Sequence, residues 1–324
     1  MMADCEHTDT NFITALRFLC CIQIFLIHYF VRIDLRDYMW VFVGAVPCFL
    51  YMSAFLYGVN KCKLDNNLFF KRRWISISST YYPFLLFAFL YIFFLFSETD
   101  KIVDLKNLFF GLVCSLLFLP DVKTLPFCGH LWFIQTLVAC YIVLWFCSKW
   151  KVMRRLFESL SLTMLFVIVL LLMSLVYRGR FPVYVFCYLW MFYNAEKIQN
   201  YVICNVKKIK HILLHAAILA GGYLLFFLGE SVNIYNWVYY RYWISSIIGI
   251  ETIVLFMMLF KFFQIHKLNF IVFFGASISM EIYLVHHLFV FDYPLYYSLP
   301  LTIFLSVILK LIREKYKYIW SSQK

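Results

Sequence analysis

The chain holds repeated apolar runs longer than 18 residues, and this constrains its fold more than any other feature. An α-helix rises 1.5 Å per residue, so about 20 apolar residues cross a hydrocarbon core about 30 Å thick. A soluble core built from 324 residues could not bury so many such runs. The runs do not alternate apolar and polar positions, which argues against a β-barrel. Only 14% of residues are charged, against about 25% in soluble domains. The expected fold class is therefore all-α, a polytopic transmembrane helical bundle.

The hydropathy pattern predicts ten spans, near residues 12–31, 39–60, 74–97, 129–148, 156–177, 181–195, 211–228, 242–263, 269–291 and 294–313. Segment 108–119 is apolar but covers about 12 residues, too few to span. Loop charge decides its status, because Lys and Arg favour the cytoplasmic side. If 108–119 does not cross and the N-terminus is inside, inner segments hold 20 Lys and Arg and outer loops hold 8. Arg17, inside the first span, completes the 29. If 108–119 crossed, the clusters Lys149–Arg155 and Lys207–Lys210 would fall outside. The expected topology has both termini cytoplasmic, with 108–119 re-entrant or interfacial. No linker or internal repeat divides the chain, so residues 1–324 are expected to form a single domain. The net charge of +12 fits cytoplasmic loops facing anionic lipid and calls for no nucleic-acid partner. The 11 cysteines form no CxxC pairs. Most lie in apolar runs, where a reduced thiol packs as a small hydrophobe.

Ionisable groups inside a span cost roughly 2.5 to 3.5 kcal/mol on insertion scales, so they need partners or a task. Arg17 and His28 lie 11 residues apart, about three helical turns, on one face of the first span. With ten spans, His28, His130 and His286 come to similar depth in the outer third of three different helices. Ser279, Tyr283 and His286 share a face by their i, i+4, i+7 spacing. An interfacial ring of histidines is the bland alternative. Glu251 and Glu281 fall near mid-span. Arg17 is the one clearly intramembrane Lys or Arg, so both acids cannot pair with it and at least one is expected to be neutral. The aromatic stretch Tyr235–Trp243 reads as an interfacial belt.

Five segments resemble, in order, motifs of the acyltransferase-3 family of membrane acyltransferases. "ALRFLCCIQIFLIH" has its Arg-x10-His first helix. "CFLYMSAFLYG" resembles its Phe-rich Ser-Gly segment, with Ala54 where the family usually has Gly. "FFKRRW" resembles its basic start to the third helix, with Ser76 where another basic residue is common. "GHLWFIQTLVACY" and "SISMEIYLVHH" resemble its His-Leu-Trp-Phe and late Ser…Tyr-Leu-x-His helices. No hydrolase-like domain follows, so the chain resembles stand-alone members.

The resemblance implies a cytoplasmic acetyl-CoA, or related acyl-CoA, as donor, and no metal. It implies a hydroxyl of a cell-envelope polysaccharide or lipid-linked sugar as acceptor. Lys71, Arg72 and Arg73 would hold the CoA phosphates, with Arg17 and Ser53 along the donor's path. His28 would act as general base or form an acyl-histidine. His130 and His286 would orient groups, relay protons or stabilise an oxyanion. The expected location is the plasma (inner) membrane of a bacterium, where membrane lipids are the surrounding partners. The rival class is a glycan or lipid transporter or flippase, where intramembrane Arg, Glu and His also occur. Such proteins often show repeated halves, which this chain lacks. The charge-based topology carries a direct expectation. A cysteine placed at 100–104 reacts with an impermeant reagent added outside intact cells, and one at 206–210 does not. The reverse pattern would overturn the topology.

Overall fold

A computed structural model describes residues 10–60, 66–98, 105–119, 121–159, 163, 164, 167, 168, 180–231 and 237–322. Among these residues every regular element is a helix and there is no strand. The α-helices are α1 Asn11–Arg32, α2 Ala45–Val59, α3 Asn66–Glu98, α4 Leu105–Leu116, α5 Trp132–Ser148 and α6 Lys151–Glu158. They continue as α7 Phe181–Asn205, α8 Ile209–Ser231, α9 Trp237–Phe262, α10 Phe270–Ser277, α11 Ser279–Val290 and α12 Leu295–Ser322. Helix is the expected answer in lipid, because it satisfies backbone N–H and C=O groups within the segment.

Seven described helices are long and apolar enough to cross a membrane, and α10 with α11 makes an eighth if counted as one span. The sequence predicts two more. The span at 181–195 appears as α7, which runs on through the polar Glu196, Lys197 and Gln199 to Asn205. The span at 156–177 lies mostly outside the described residues. Its first residues instead close the short helix α6, whose Arg154 pairs with Glu158 at 2.9 Å. The 108–119 segment contains most of α4, whose 12 residues reach only about 18 Å. The span at 269–291 is interrupted at Ile278, whose φ of −110° and ψ of 9° leave the helical region. Ser277 contributes to the interruption by bonding its hydroxyl back to the Phe274 carbonyl at 2.7 Å.

The described helices group into two compact units. One comprises Met1–Ile24, Asp37–Lys61 and Val152–Ser277, and the other Phe25–Arg36, Cys62–Lys151 and Ile278–Lys324. In the first, α2 packs on α7 and α9, and α8 packs on α9. Lipid tails are as apolar as side chains, so helices in a membrane associate through close packing and hydrogen bonds. Small residues make that approach possible. A Cβ on Gly58 would collide with the Phe192 carbonyl oxygen, and one on Gly249 would lie 2.8 Å from the Cys48 nitrogen. Tyr51 donates to Ser246 at 2.7 Å between buried side chains of α2 and α9.

In the second unit the 33-residue α3 packs against α4, α5, α11 and α12. Tyr81 donates to the Ser115 carbonyl at 2.8 Å and ties α3 to α4. Pro83 lies inside α3, where it cannot donate to the carbonyl one turn back. Helix α12 buries the small polar stripe Ser298, Thr302 and Ser306, at a spacing of four residues that puts all three on one face.

Gly58→Ala is expected to lower the amount of folded protein, since overpacking a dense contact costs about 1–3 kcal/mol. Detergent-extracted yield and midpoint of thermal unfolding measure this. A variant as stable as the parent would show that α2 and α7 do not need their close approach.

Candidate active site

The second unit brings four imidazoles together. The turn before α5 presents His130. Phe127 in that turn adopts a positive φ of 59°, a conformation sparsely used by residues other than Gly, Asn and Asp. A short 3-10 segment, Gly129–Leu131, follows and carries His130 into the protein, where it is 4% exposed. Helix α11 supplies His286 and His287, and α1 supplies His28.

Their geometry is close. His28 Nδ1 and His287 Nε2 are 3.1 Å apart. The rings of His28 and His287 meet edge to face with centroids 4.0 Å apart. His130 stacks on His287 at 4.1 Å. His286 lies 5.0 Å from His28 and 5.2 Å from His130, ring to ring. Phe291 closes on His287 at 5.1 Å and on His28 at 6.0 Å, and Phe84 of α3 lies 6.3 Å from His130.

Backbone carbonyls hold these rings. His130 Nε2 lies 2.9 Å from the Leu284 carbonyl, and His286 Nδ1 lies 2.7 Å from that of Tyr283. A carbonyl only accepts, so each of those nitrogens carries the proton. The opposite atoms, His130 Nδ1 and His286 Nε2, are buried and have no hydrogen-bond partner among the described residues. In neutral rings these atoms are lone-pair acceptors. The ring of His287 finds the Phe127 backbone. Tyr283 returns the tie between α11 and the turn before α5 by donating to the His130 carbonyl at 2.6 Å.

Beyond α11, Arg32 donates to the Tyr293 carbonyl, and Tyr91 of α3 meets Tyr293 at 3.4 Å between hydroxyls. Burial raises the Asp292 carboxyl above its usual range, and nearby Arg32 works in the opposite direction. In the same turn as Phe127, burial pushes the Cys128 thiol up to about 12.

The sequence singled out His28, His130 and His286, and all three meet in this cluster. It did not single out His287. The doubled His286-His287 was its visible signal, but a face drawn through Ser279, Tyr283 and His286 excludes the neighbouring position. Packing from several sides lets both rings turn inward. Among the other candidates, Arg17 and Ser53 fall in the first unit. Ser53 donates to the Leu50 carbonyl at 2.8 Å and sits 3.3 Å from the Tyr188 hydroxyl. Lys71, Arg72 and Arg73 lie in the second unit, near the start of α3. Lys71 and Arg72 are exposed, and Arg73 lies over the Phe69 ring at 5.9 Å.

The two mid-span acids lie on α9 and α11. Both have partners. Glu251 meets His215 Nδ1 at 2.6 Å, and Glu281 meets Arg313 at 2.7 Å. Hydropathy ends the last span at Arg313, but α12 continues to Ser322 and keeps its guanidinium largely buried. His28, His286 and His287 offer ligand atoms within 4.8 Å of one another, the set that could hold a metal ion. Tetrahedral zinc keeps its nitrogens about 3.3 Å apart, so all three could bind one ion only after a shift.

Fold and site together define a polytopic helical membrane protein with a buried histidine cluster. A family model described as an acyltransferase domain, that of the acyltransferase-3 family, matches residues 10–312. The chain belongs to that family and is a membrane acyltransferase. Neither the curated proteins nor the solved structures contain a match.

Proposed function

We propose that the protein moves an acetyl or similar acyl group from cytoplasmic acyl-CoA to a hydroxyl of an extracytoplasmic polysaccharide or lipid-linked sugar. One observation carries the hydroxyl half of this reading. His130 Nδ1 and His286 Nε2 are buried acceptors with no donor among the described residues. A ligand that satisfies them must bring hydrogen-bond donors, as a sugar's hydroxyls do. With their N–H groups held by backbone carbonyls, these neutral rings suit hydroxyl binding better than oxyanion stabilisation. His28, at the edge of the same cluster, is the general base. It takes the hydroxyl proton as the acceptor oxygen attacks the thioester carbon, the C–S bond breaks, and the proton finally neutralises the CoA thiolate.

Helix α3 supports the division of labour. Lys71, Arg72 and Arg73 lie near its first turns, and Phe84, against His130, lies in its middle third. Arg73 and Phe84 are 11 residues apart, or about 16 Å along the axis. An extended donor arm gripped by its phosphates at the basic end would run along this length towards the histidines. Both termini and the basic cluster are then cytoplasmic, in the plasma membrane of a bacterium. Arg17 and Ser53 are assigned to the donor's path by resemblance to the family.

Purified protein given labelled acetyl-CoA should transfer label to cell-envelope glycans, and a protein that only transports would transfer none. His28→Ala should lower turnover about 100-fold or more, the usual worth of a positioned base, while still binding CoA. A folded His28→Ala enzyme working at the parent rate would remove His28 from the base's role. The double variant Arg72→Ala, Arg73→Ala should instead raise the donor KM, and the parent's donor affinity should weaken as salt is raised. Unchanged affinity in the folded double variant would place the CoA phosphates elsewhere.

A further inference from the structure

Two neutral imidazoles that share a hydrogen bond must divide the roles. One nitrogen donates and the other accepts, and whatever holds the far side of either ring decides which. His28 Nδ1 and His287 Nε2 form such a pair at 3.1 Å. The Phe127 backbone also meets the His287 ring, and with Nε2 turned to His28 the nitrogen left to meet it is Nδ1. A carbonyl there takes an N–H and leaves His287 Nε2 with the lone pair. His28 Nδ1 then carries its proton, and the free lone pair of His28 is on Nε2.

We infer that His287 is the positioning residue for His28, fixing its tautomer so that Nε2 is the atom that receives the acceptor's proton. The inference rests on the reading of His28 as general base. A base acts well only when its lone pair is the one facing the reacting hydroxyl. When a side chain fixes the other nitrogen as donor, it also stabilises the imidazolium that forms after proton transfer. In many hydrolases a carboxylate does this. Here a second imidazole does it, and the described residues around it explain how it can be held. His287 is 9% exposed. Its ring is stacked on His130 at 4.1 Å, meets His286 at 4.9 Å and is covered by Phe291 at 5.1 Å. Contacts from the turn before α5 and from the rest of α11 leave the ring little freedom. The positive φ of Phe127 turns the chain at the point where its backbone meets His287. Backbone of this kind is sparsely populated and tends to occur where the surroundings over-determine it.

After proton transfer the balance is simple. The acceptor's O–H bond is broken, His28 Nε2 has gained the proton, and the cation is shared through the Nδ1–H to His287 Nε2. The Phe127 carbonyl has no proton to give or take. The charge therefore stays on the pair until the thiolate leaves and is neutralised.

The test uses the full-length enzyme with labelled acetyl-CoA and an envelope glycan as acceptor. His287→Phe keeps a flat ring in the stack but removes the acceptor, and kcat should fall about 100-fold with the donor KM unchanged. His287→Gln places an amide oxygen near the position of Nε2 and should recover at least tenfold of that loss. A merely structural role predicts that neither variant accumulates, or that Gln is no better than Phe. Equal parent-like turnover in a folded His287→Phe enzyme would overturn the inference. If the parent itself transfers no acyl group, the base reading fails but the arrangement is still tested. Nitrogen-15 NMR of the histidine-labelled parent should show His28 protonated at Nδ1, and in His287→Phe that preference should be lost. A parent His28 protonated at Nε2 would refute the assignment on its own.

Discussion

The hydrogen bonds from imidazole rings to backbone carbonyls are the ties on which the histidine cluster depends. Inside a membrane protein an unpaired polar group costs more than at a wet surface. A ring nitrogen that finds a carbonyl is therefore held firmly. His130 reaches the Leu284 carbonyl, and Tyr283 reaches back to the His130 carbonyl. These reciprocal bonds lock α11 against the turn before α5. They set the height of His130 and His286 together, and they leave the opposite nitrogens of both rings facing inward as acceptors. A site built this way is prepared for groups that donate.

That constraint suits chemistry in which an alcohol must be desolvated and deprotonated. Phe84 and Phe291 place apolar rings against His130 and His28. The charged groups that would suit a CoA donor lie elsewhere on the same helix. Lys71, Arg72 and Arg73 stand near the start of α3, and Phe84 and Tyr91 meet the cluster and its rim further along. A single long helix thus carries a basic start and, further along, the aromatic side chain that meets His130. Pro83 interrupts its backbone ladder just before Phe84.

The paired acids elsewhere serve a different purpose. In the first unit Glu251 bonds to His215, whose other nitrogen lies 3.2 Å from the Tyr201 hydroxyl. Tyr201 in turn lies 2.9 Å from His211 Nδ1. In the second unit the fully buried Glu281 is met by Arg313. A buried carboxylate without a partner is strongly destabilising, so such pairing makes the acids tolerable whether or not they take part in turnover. Their partners come from helix neighbours that loop-charge counting does not see.

The membrane-spanning all-helical character, the family and three of the four clustered histidines were readable from the sequence. Each depends on local quantities. Run length reports span length, charge asymmetry reports expected orientation, and motif order reports family. The residues Arg17, His28, His130 and His286 stand in those motifs at fixed spacing. Other features depended on which helices pack together. The interruption at Ile278, the continuation of α7 to Asn205 and of α12 past Arg313, and the partners of Glu251 and Glu281 were not visible as local patterns. The place of His287 in the cluster was hidden for the same reason. Adjacent helical positions point about 100° apart, so a one-face reading keeps one histidine of the pair and discards the other. Sequence alone determined that polar groups had to be buried in an apolar bundle. Only tertiary structure decided which carbonyl, carboxylate or ring each would meet, because those partners lie up to 261 residues away along the chain.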